Sequence, residues 1–135
     1  MPVNRAEALL RHLLHRADLP EAEWHRQIAL SRPLGTTTPD CFWAVEDEPG
    51  LCLYLNGMSA HLHGNPATRD RDQAIRDQLR SMHYEVLQIT ATQLHDRDAM
   101  AQHFHRIVRI LIGRERARTV REDISWFVVS ETDPV

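Results

Sequence analysis

The feature that most constrains the fold is a pair of apolar runs, Cys41-Phe42-Trp43-Ala44-Val45 and Leu51-Cys52-Leu53-Tyr54-Leu55. Glu46-Asp47-Glu48-Pro49-Gly50 separates them. Each run has the length of a strand, and the turn formers between them predict an antiparallel hairpin. The second run is apolar at successive positions. Side chains alternate between the two faces of a strand, so such a run must be covered on both sides. The simplest solution is an α/β fold, a three-layer α/β/α arrangement around a mixed sheet.

Helical periodicity supplies the outer layers. Residues 4–17 place Ala6, Leu9, Leu10, Leu13, Leu14 and Ala17 on one face, as an amphipathic helix requires. Asn4 is a good N-cap, Glu7 stands where a capping carboxylate would, and Asp18-Leu19-Pro20 ends the helix. A second helix is predicted over 69–82, with Ile75, Leu79 and Met82 buried. A third spans roughly 96–112, carrying Met100, Phe104, Ile107, Val108, Leu111 and Ile112 to the stop at Gly113. Further strands are expected at 25–31, 84–90 and 124–129, with loops at 32–39 and 57–68 and a frayed end over 131–135. The expected organisation is one domain over residues 1–113. Residues 114–135 follow as an arginine-rich extension with an extra edge strand.

No apolar run approaches the ~20 residues of a membrane span, and the first residues carry no signal-peptide pattern. Cys41 and Cys52 are the only cysteines, too few for a disulfide framework or a four-cysteine zinc site. Both read as small buried hydrophobes, and a reducing cytoplasm fits. The 16 cations are all arginine, and the balance against 19 acids is 16 − 19 = −3. Without lysine there is no lysine phosphate loop and no Schiff base. Arginine still offers a planar fork suited to phosphate, and the near-neutral balance confines any anion-binding surface to a local patch.

Counting outward from Glu48 as the centre of the turn, Asp40 and Asn56 face each other across the predicted ladder. The loop after Asn56 carries His61 and His63, and the first helix can bring Glu7 to the same edge. Carboxylates that hold a divalent cation beside a base are the equipment of phosphodiester hydrolysis.

These residues resemble the restriction-endonuclease-like PD-(D/E)XK superfamily. They are closest in pattern to domains of the very-short-patch mismatch-repair endonuclease type and to related domains attached to helicases and defence proteins. The resemblance runs from about Ala6 to Leu111. It rests on Ala6-Glu7-Ala8-Leu9-Leu10, Pro39-Asp40, Leu53-Tyr54-Leu55-Asn56-Gly57, His61 and His63, Arg69-Asp70-Arg71-Asp72, and the stretch from Ile75 to Ile89. It is the order and spacing of the whole set that carries weight, since Pro-Asp alone is common.

The resemblance implies a DNA endonuclease using magnesium, or manganese in its place, in a repair or defence setting, with a helicase as a companion. Glu7 matches the acid of the first helix that positions water. Asp40 matches the metal-binding acid, and Leu55 the residue whose backbone carbonyl is a second ligand. Asn56 stands where many relatives have an acid, His61 where a histidine acts as general acid or base, and His63 at a second family histidine. In relatives that second histidine belongs to a structural zinc site; its cysteines are missing here, so zinc is not expected. Arg69, Arg71 and Arg76 are the candidate DNA contacts. Two departures stand out: the third-motif acid is an amide, and the third-motif lysine is absent. They leave open a nuclease using the histidine variant of the chemistry, an inactive DNA-binding or docking module on the same fold, and an engineered acid-to-amide change. A protein–protein interaction domain is a further reading, compatible with the net charge.

Each site residue also has a plain reading. Glu7 can be a capping carboxylate, Asp40 the end of a loop, and Asn56-Gly57 a turn dipeptide. His61 and His63 can be solvated, and the α-helical arginines interleave with Asp70, Asp72 and Asp77 as a salt-bridged surface would. The remaining histidines are expected at the surface, with His103 and His105 flanking Phe104 away from the core. Gln88 is a weak further candidate for the site.

Overall fold

The computed structural model describes residues 5–56 and 66–128. Its elements run α1 (Arg5–Arg16), β1 (Glu23–Trp24), β2 (Ile28–Ala29), β3 (Thr36–Thr37), β4 (Cys41–Val45), β5 (Glu48–Asn56), α2 (Pro66–Ser81), β6 (Glu85–Thr90), α3 (Arg97–Leu111) and α4 (Arg114–Glu122). The fold is mixed α/β. The chain divides into two compact units, Met1–Glu21 with Ile89–Val135, and Ala22–Gln88.

The interior unit is organised by the sheet, in the order β1–β4–β5–β6; β2 and β3 form a separate two-stranded ladder. β1 pairs antiparallel with β4, and β4 with β5. As the apolar run predicts, Leu51, Cys52 and Leu53 are all fully buried, so β5 is covered on both faces. One face gathers Ile28, Phe42, Cys52 and Val86 with Ile75 and Leu79 of α2. α2 ends as a helix should: His83 takes the left-handed conformation (φ 73°). The His83 N–H then reaches the Arg80 carbonyl at 2.9 Å and the Tyr84 N–H the Leu79 carbonyl at 3.0 Å, which satisfies the last turn.

The unit built from the chain's two ends is helical. Leu10, Leu13 and Leu14 of α1, Leu94 of a short 3-10 turn (Gln93–His95), and Met100, Phe104, Ile107 and Val108 of α3 are buried there. Asp96 caps α3 by accepting the Ala99 N–H at 3.1 Å.

Three expectations need correction. The hairpin turn is shorter than the five residues between the apolar runs: only Glu46-Asp47 lies between the strands, and β5 begins at Glu48. Asp47, the second of the two, takes a left-handed conformation (φ 62°). The register is Cys41↔Leu53, Phe42↔Cys52 and Trp43↔Leu51, with an irregularity before Val45↔Glu48. That frame points Asp40 toward Tyr54 rather than Asn56. The shift is by two residues, so each side chain keeps the face expected of it.

The second correction concerns the tail. Residues 124–128 form no strand; the regular element of the tail is α4, whose Ala117 and Val120 are buried. Trp126 follows, stacked on Phe104 with ring centroids 4.5 Å apart. Third, the strand expected at 25–31 reduces to the two-residue β2, because His25 takes a left-handed conformation (φ 62°) and turns the chain directly after β1.

Candidate functional site

Asp40 is the best-positioned of the sequence candidates. It follows the buried Pro39 and immediately precedes β4. Its Oδ2 accepts the Leu55 N–H at 2.7 Å, so the carboxylate is tied across the hairpin to the neighbouring strand. A charged acceptor makes this one of the stronger kinds of hydrogen bond. The Asp40 main-chain carbonyl accepts the His25 N–H at 3.2 Å. β1 ends beside β4 in the register Trp24↔Cys41, and the turn at His25 then brings the imidazole back over Asp40. A ring nitrogen of His25 and a carboxylate oxygen of Asp40 lie within 4.8 Å of each other. The hairpin end thus assembles a half-buried carboxylate, the Leu55 backbone and an exposed imidazole.

Tyr54 belongs to the same neighbourhood. Its hydroxyl contacts the Thr37 hydroxyl at 2.6 Å. Burial pushes its pKa up to about 12; the Thr37 contact and the Arg76 guanidinium oppose the shift, and the Cys52 and Asp40 charges add to it. Tyr54 therefore keeps its proton at neutral pH. The Cys52 thiol is likewise pushed up to about 12 by burial, with Arg26 opposing. It is a core side chain with no nucleophilic character at neutral pH.

Glu7 lies in the other unit. It sits in the first turn of α1, and its Oε2 accepts Nη2 of Arg11 at 2.8 Å and Nε at 3.2 Å. Its side chain is only 12% exposed, more buried than a capping carboxylate on an open surface would be. Asn4, His61 and His63 lie outside the described residues, as does the side chain of Asn56.

The arginines of α2 are engaged within their own unit. Arg71 donates to the Leu34 carbonyl at 3.0 Å, Arg76 to Gln73 Oε1 at 2.9 Å, and Arg80 pairs with Asp77 at 3.9 Å. Gln73 also donates to Asp77 at 2.7 Å. Arg69 is exposed on the same helix. Arg80–Asp77 is the kind of pair that interleaved charges predict, whereas Arg71 is held by a main-chain carbonyl and Arg76 by an amide oxygen. Gln88 is half-buried on β6.

His25 is the site residue that sequence reasoning misses. It lies outside every quoted motif, and only its left-handed backbone brings it to Asp40. A lone histidine after a short strand gives no signal of that turn. No protein-family model, curated protein or solved structure matches the chain.

Proposed function

We propose that the chain is a metal-dependent DNA endonuclease domain with a restriction-endonuclease-like, three-layer α/β/α fold, acting in repair or defence. The observation that carries this reading is the Asp40 carboxylate, held by the Leu55 N–H at the end of a buried hairpin with the His25 imidazole beside it. Asp40 and the Leu55 carbonyl are the metal donors, and His25 is added to them. Glu7 takes the part the resemblance gives it, the first-helix acid that orients the attacking water. His61 transfers protons, Asn56 occupies the third-motif position, and His63, Arg69, Arg71 and Arg76 steady the DNA.

The donor chemistry fits a divalent cation. Carboxylate and carbonyl oxygens suit magnesium and manganese, while an imidazole in the set favours the transition metal. A cation bound there supplies Lewis-acid stabilisation to the phosphoryl oxygen that gains charge. The protein's own part is to fix the Asp40 carboxylate through the Leu55 N–H, to keep an imidazole at hand for the proton, and to bind phosphate through guanidinium forks.

Purified protein incubated with supercoiled, single-stranded and mismatched DNA, in magnesium and separately in manganese, is expected to cut at least one substrate. Asp40→Ala protein should not. His25→Ala should lose more of the manganese-supported rate than of the magnesium-supported rate. Cleavage that never exceeds the Asp40→Ala background in either metal would falsify the catalytic reading.

The amide at Asn56 and the absence of lysine favour a second reading, an inactive nuclease-fold module that binds or docks on DNA. Asn56→Asp protein that gains cleavage where the natural chain has none supports it. Absence of salt-dependent DNA binding by either protein removes both readings and leaves a protein–protein interaction domain.

A further inference from the structure

The helical unit carries a concentration of charge made of residues that the proposed site does not use. On α3, His105 and Arg109 stand one turn apart. On α4, Arg114, Arg118 and Arg121 repeat at helical spacing, so they share one face. Together with Glu115 they line a cleft of about 430 Å³. Four guanidiniums and an imidazole therefore meet a single carboxylate, and no apolar side chain lines the space.

These arginines differ from those of α2. Among the described residues, no hydrogen bond or ion pair engages Arg109, Arg114, Arg118 or Arg121, and all four are exposed. Arg116, on another side of the same helix, is spent on the Ala17 carbonyl at 3.0 Å. Arg114 also lies in the first turn of α4, where the helix dipole disfavours a cation. The cleft thus combines mutual repulsion with an unfavourable position, and a bound anion would relieve both. The field is felt locally: His105 is held below its ordinary pKa by burial and then by the Arg121 and Arg109 guanidiniums.

Geometry narrows the anion. Arg114 and Arg121 are seven residues apart on one helix, or about 10 Å along its axis. Arginines spread over that length, with Arg109 of α3 beside them, offer forks to more than one phosphate. Arginine forks take phosphate oxygens in pairs. With no aromatic or apolar wall in the cleft, nothing there stacks on a base or encloses a nucleoside.

We propose that the α3–α4 cleft is a base-independent nucleic-acid contact, in which Arg109, Arg114, Arg118 and Arg121 hold successive phosphates of one strand. The choice of nucleic acid as occupant rests on the function proposed above. The contact itself concerns binding and requires no metal.

The test is fluorescence anisotropy of labelled single-stranded and duplex oligonucleotides with the full chain in EDTA, between about 50 and about 200 mM salt. Wild type is expected to bind with a steep salt dependence. A triple Arg114→Gln, Arg118→Gln, Arg121→Gln variant should bind at least roughly tenfold more weakly, with the log–log salt slope on single strands reduced by about two. Replacing the same three arginines with lysine should restore most of the slope, and circular dichroism should show all variants folded. An Arg118→Glu, Arg121→Glu protein, which needs only surface changes, should lose binding further. The proposal is overturned if the glutamine and glutamate variants keep the wild-type slope, or if wild type binds no oligonucleotide. It is equally overturned if tripolyphosphate binds at the cleft while oligonucleotides do not, because the occupant is then a small polyphosphate. Since EDTA removes catalysis from the assay, binding without any cleavage in metal would defeat the nuclease reading and leave this contact standing.

Discussion

A half-buried imidazole next to a guanidinium, here at a histidine expected on the surface, has a defined effect on how the protein responds to acid. His103 is half-buried on α3, with Nε2 at 3.0 Å from Gln93 Oε1. Burial, and then the Arg106 charge, hold its pKa below the ordinary 6.5. The folded state therefore takes up this proton less readily than the unfolded chain. Above about pH 6.5 neither state is protonated and the full stability is present. As pH falls below that value the unfolded chain is protonated first, and stability drops until the folded pKa is reached. Urea denaturation at intervals from about pH 7.5 to about pH 5, a span that brackets the histidine range, should show the midpoint falling with acid. His103→Gln, which keeps a polar group for Gln93, should flatten that fall; an equal slope in both proteins would place the titration elsewhere. At this scale the sequence is legible only where a side chain belongs to a pattern. Asp40 stands out because a proline precedes it and a strand follows it, and Leu55 because it closes an apolar run. His25 has neither advantage, since one left-handed residue decides where its ring goes.

The elements were more legible than the residues, and the hairpin shows where that legibility stops. The apolar runs locate β4 and β5, and helical periodicity locates α1, α2 and α3 to within a few residues, because each buries most of a stripe; Met82 and Ile112, expected on those stripes, lie just past the helix ends and are exposed. Register depends instead on one turn and one irregularity, which leave no trace in hydrophobic patterning. The α4 helix escapes for a different reason: only Ala117 and Val120 are buried among its arginines, too few apolar positions to establish a period. β1, β2 and β3 are two residues each, below the length at which alternation means anything. The bend at the start of β5 depends on Gly50, whose φ of +143° is accessible to glycine and strained for other residues. A Cβ there would also overlap the Phe42 ring and lie 2.9 Å from the Trp43 carbonyl. Phe42 is buried and packs edge-on against Tyr84 at 6.4 Å, so the ring has little room to yield. Gly50→Ala should destabilise the protein by about 3 kcal/mol, combining backbone strain with overpacking. Chemical denaturation measures it; a loss under roughly 1 kcal/mol would mean that β5 has another way to start.

At the scale of the whole molecule, one unit is assembled from both ends of the chain and the other from the interior. Bringing the ends together has an entropic cost that grows slowly with the length enclosed, and specific contacts must offset it. Three are in place. Nε of Arg16, at the end of α1, donates to the Trp126 carbonyl at 3.1 Å, and Nη2 to the Ser125 carbonyl at 3.0 Å. Arg116 of α4 reaches the Ala17 carbonyl at 3.0 Å, in the region where a helix leaves its last carbonyls unsatisfied. Trp126 is 5% exposed, stacks on Phe104 and donates its indole N–H to the Val120 carbonyl at 3.0 Å. The arginine bonds are partly exposed, so water can replace them at little cost. The indole is buried against the Phe104 ring, and truncating it leaves a cavity. Trp126→Ala should therefore cost about 3–5 kcal/mol and lower Tm by roughly 10–15 °C, whereas Arg16→Gln should cost about 1 kcal/mol. Thermal unfolding followed by circular dichroism distinguishes the two. If Arg16→Gln proves as damaging as Trp126→Ala, polar bridging rather than packing holds the chain's ends in one unit. If neither matters, α1 and α3 hold that unit together without the segment that follows α4.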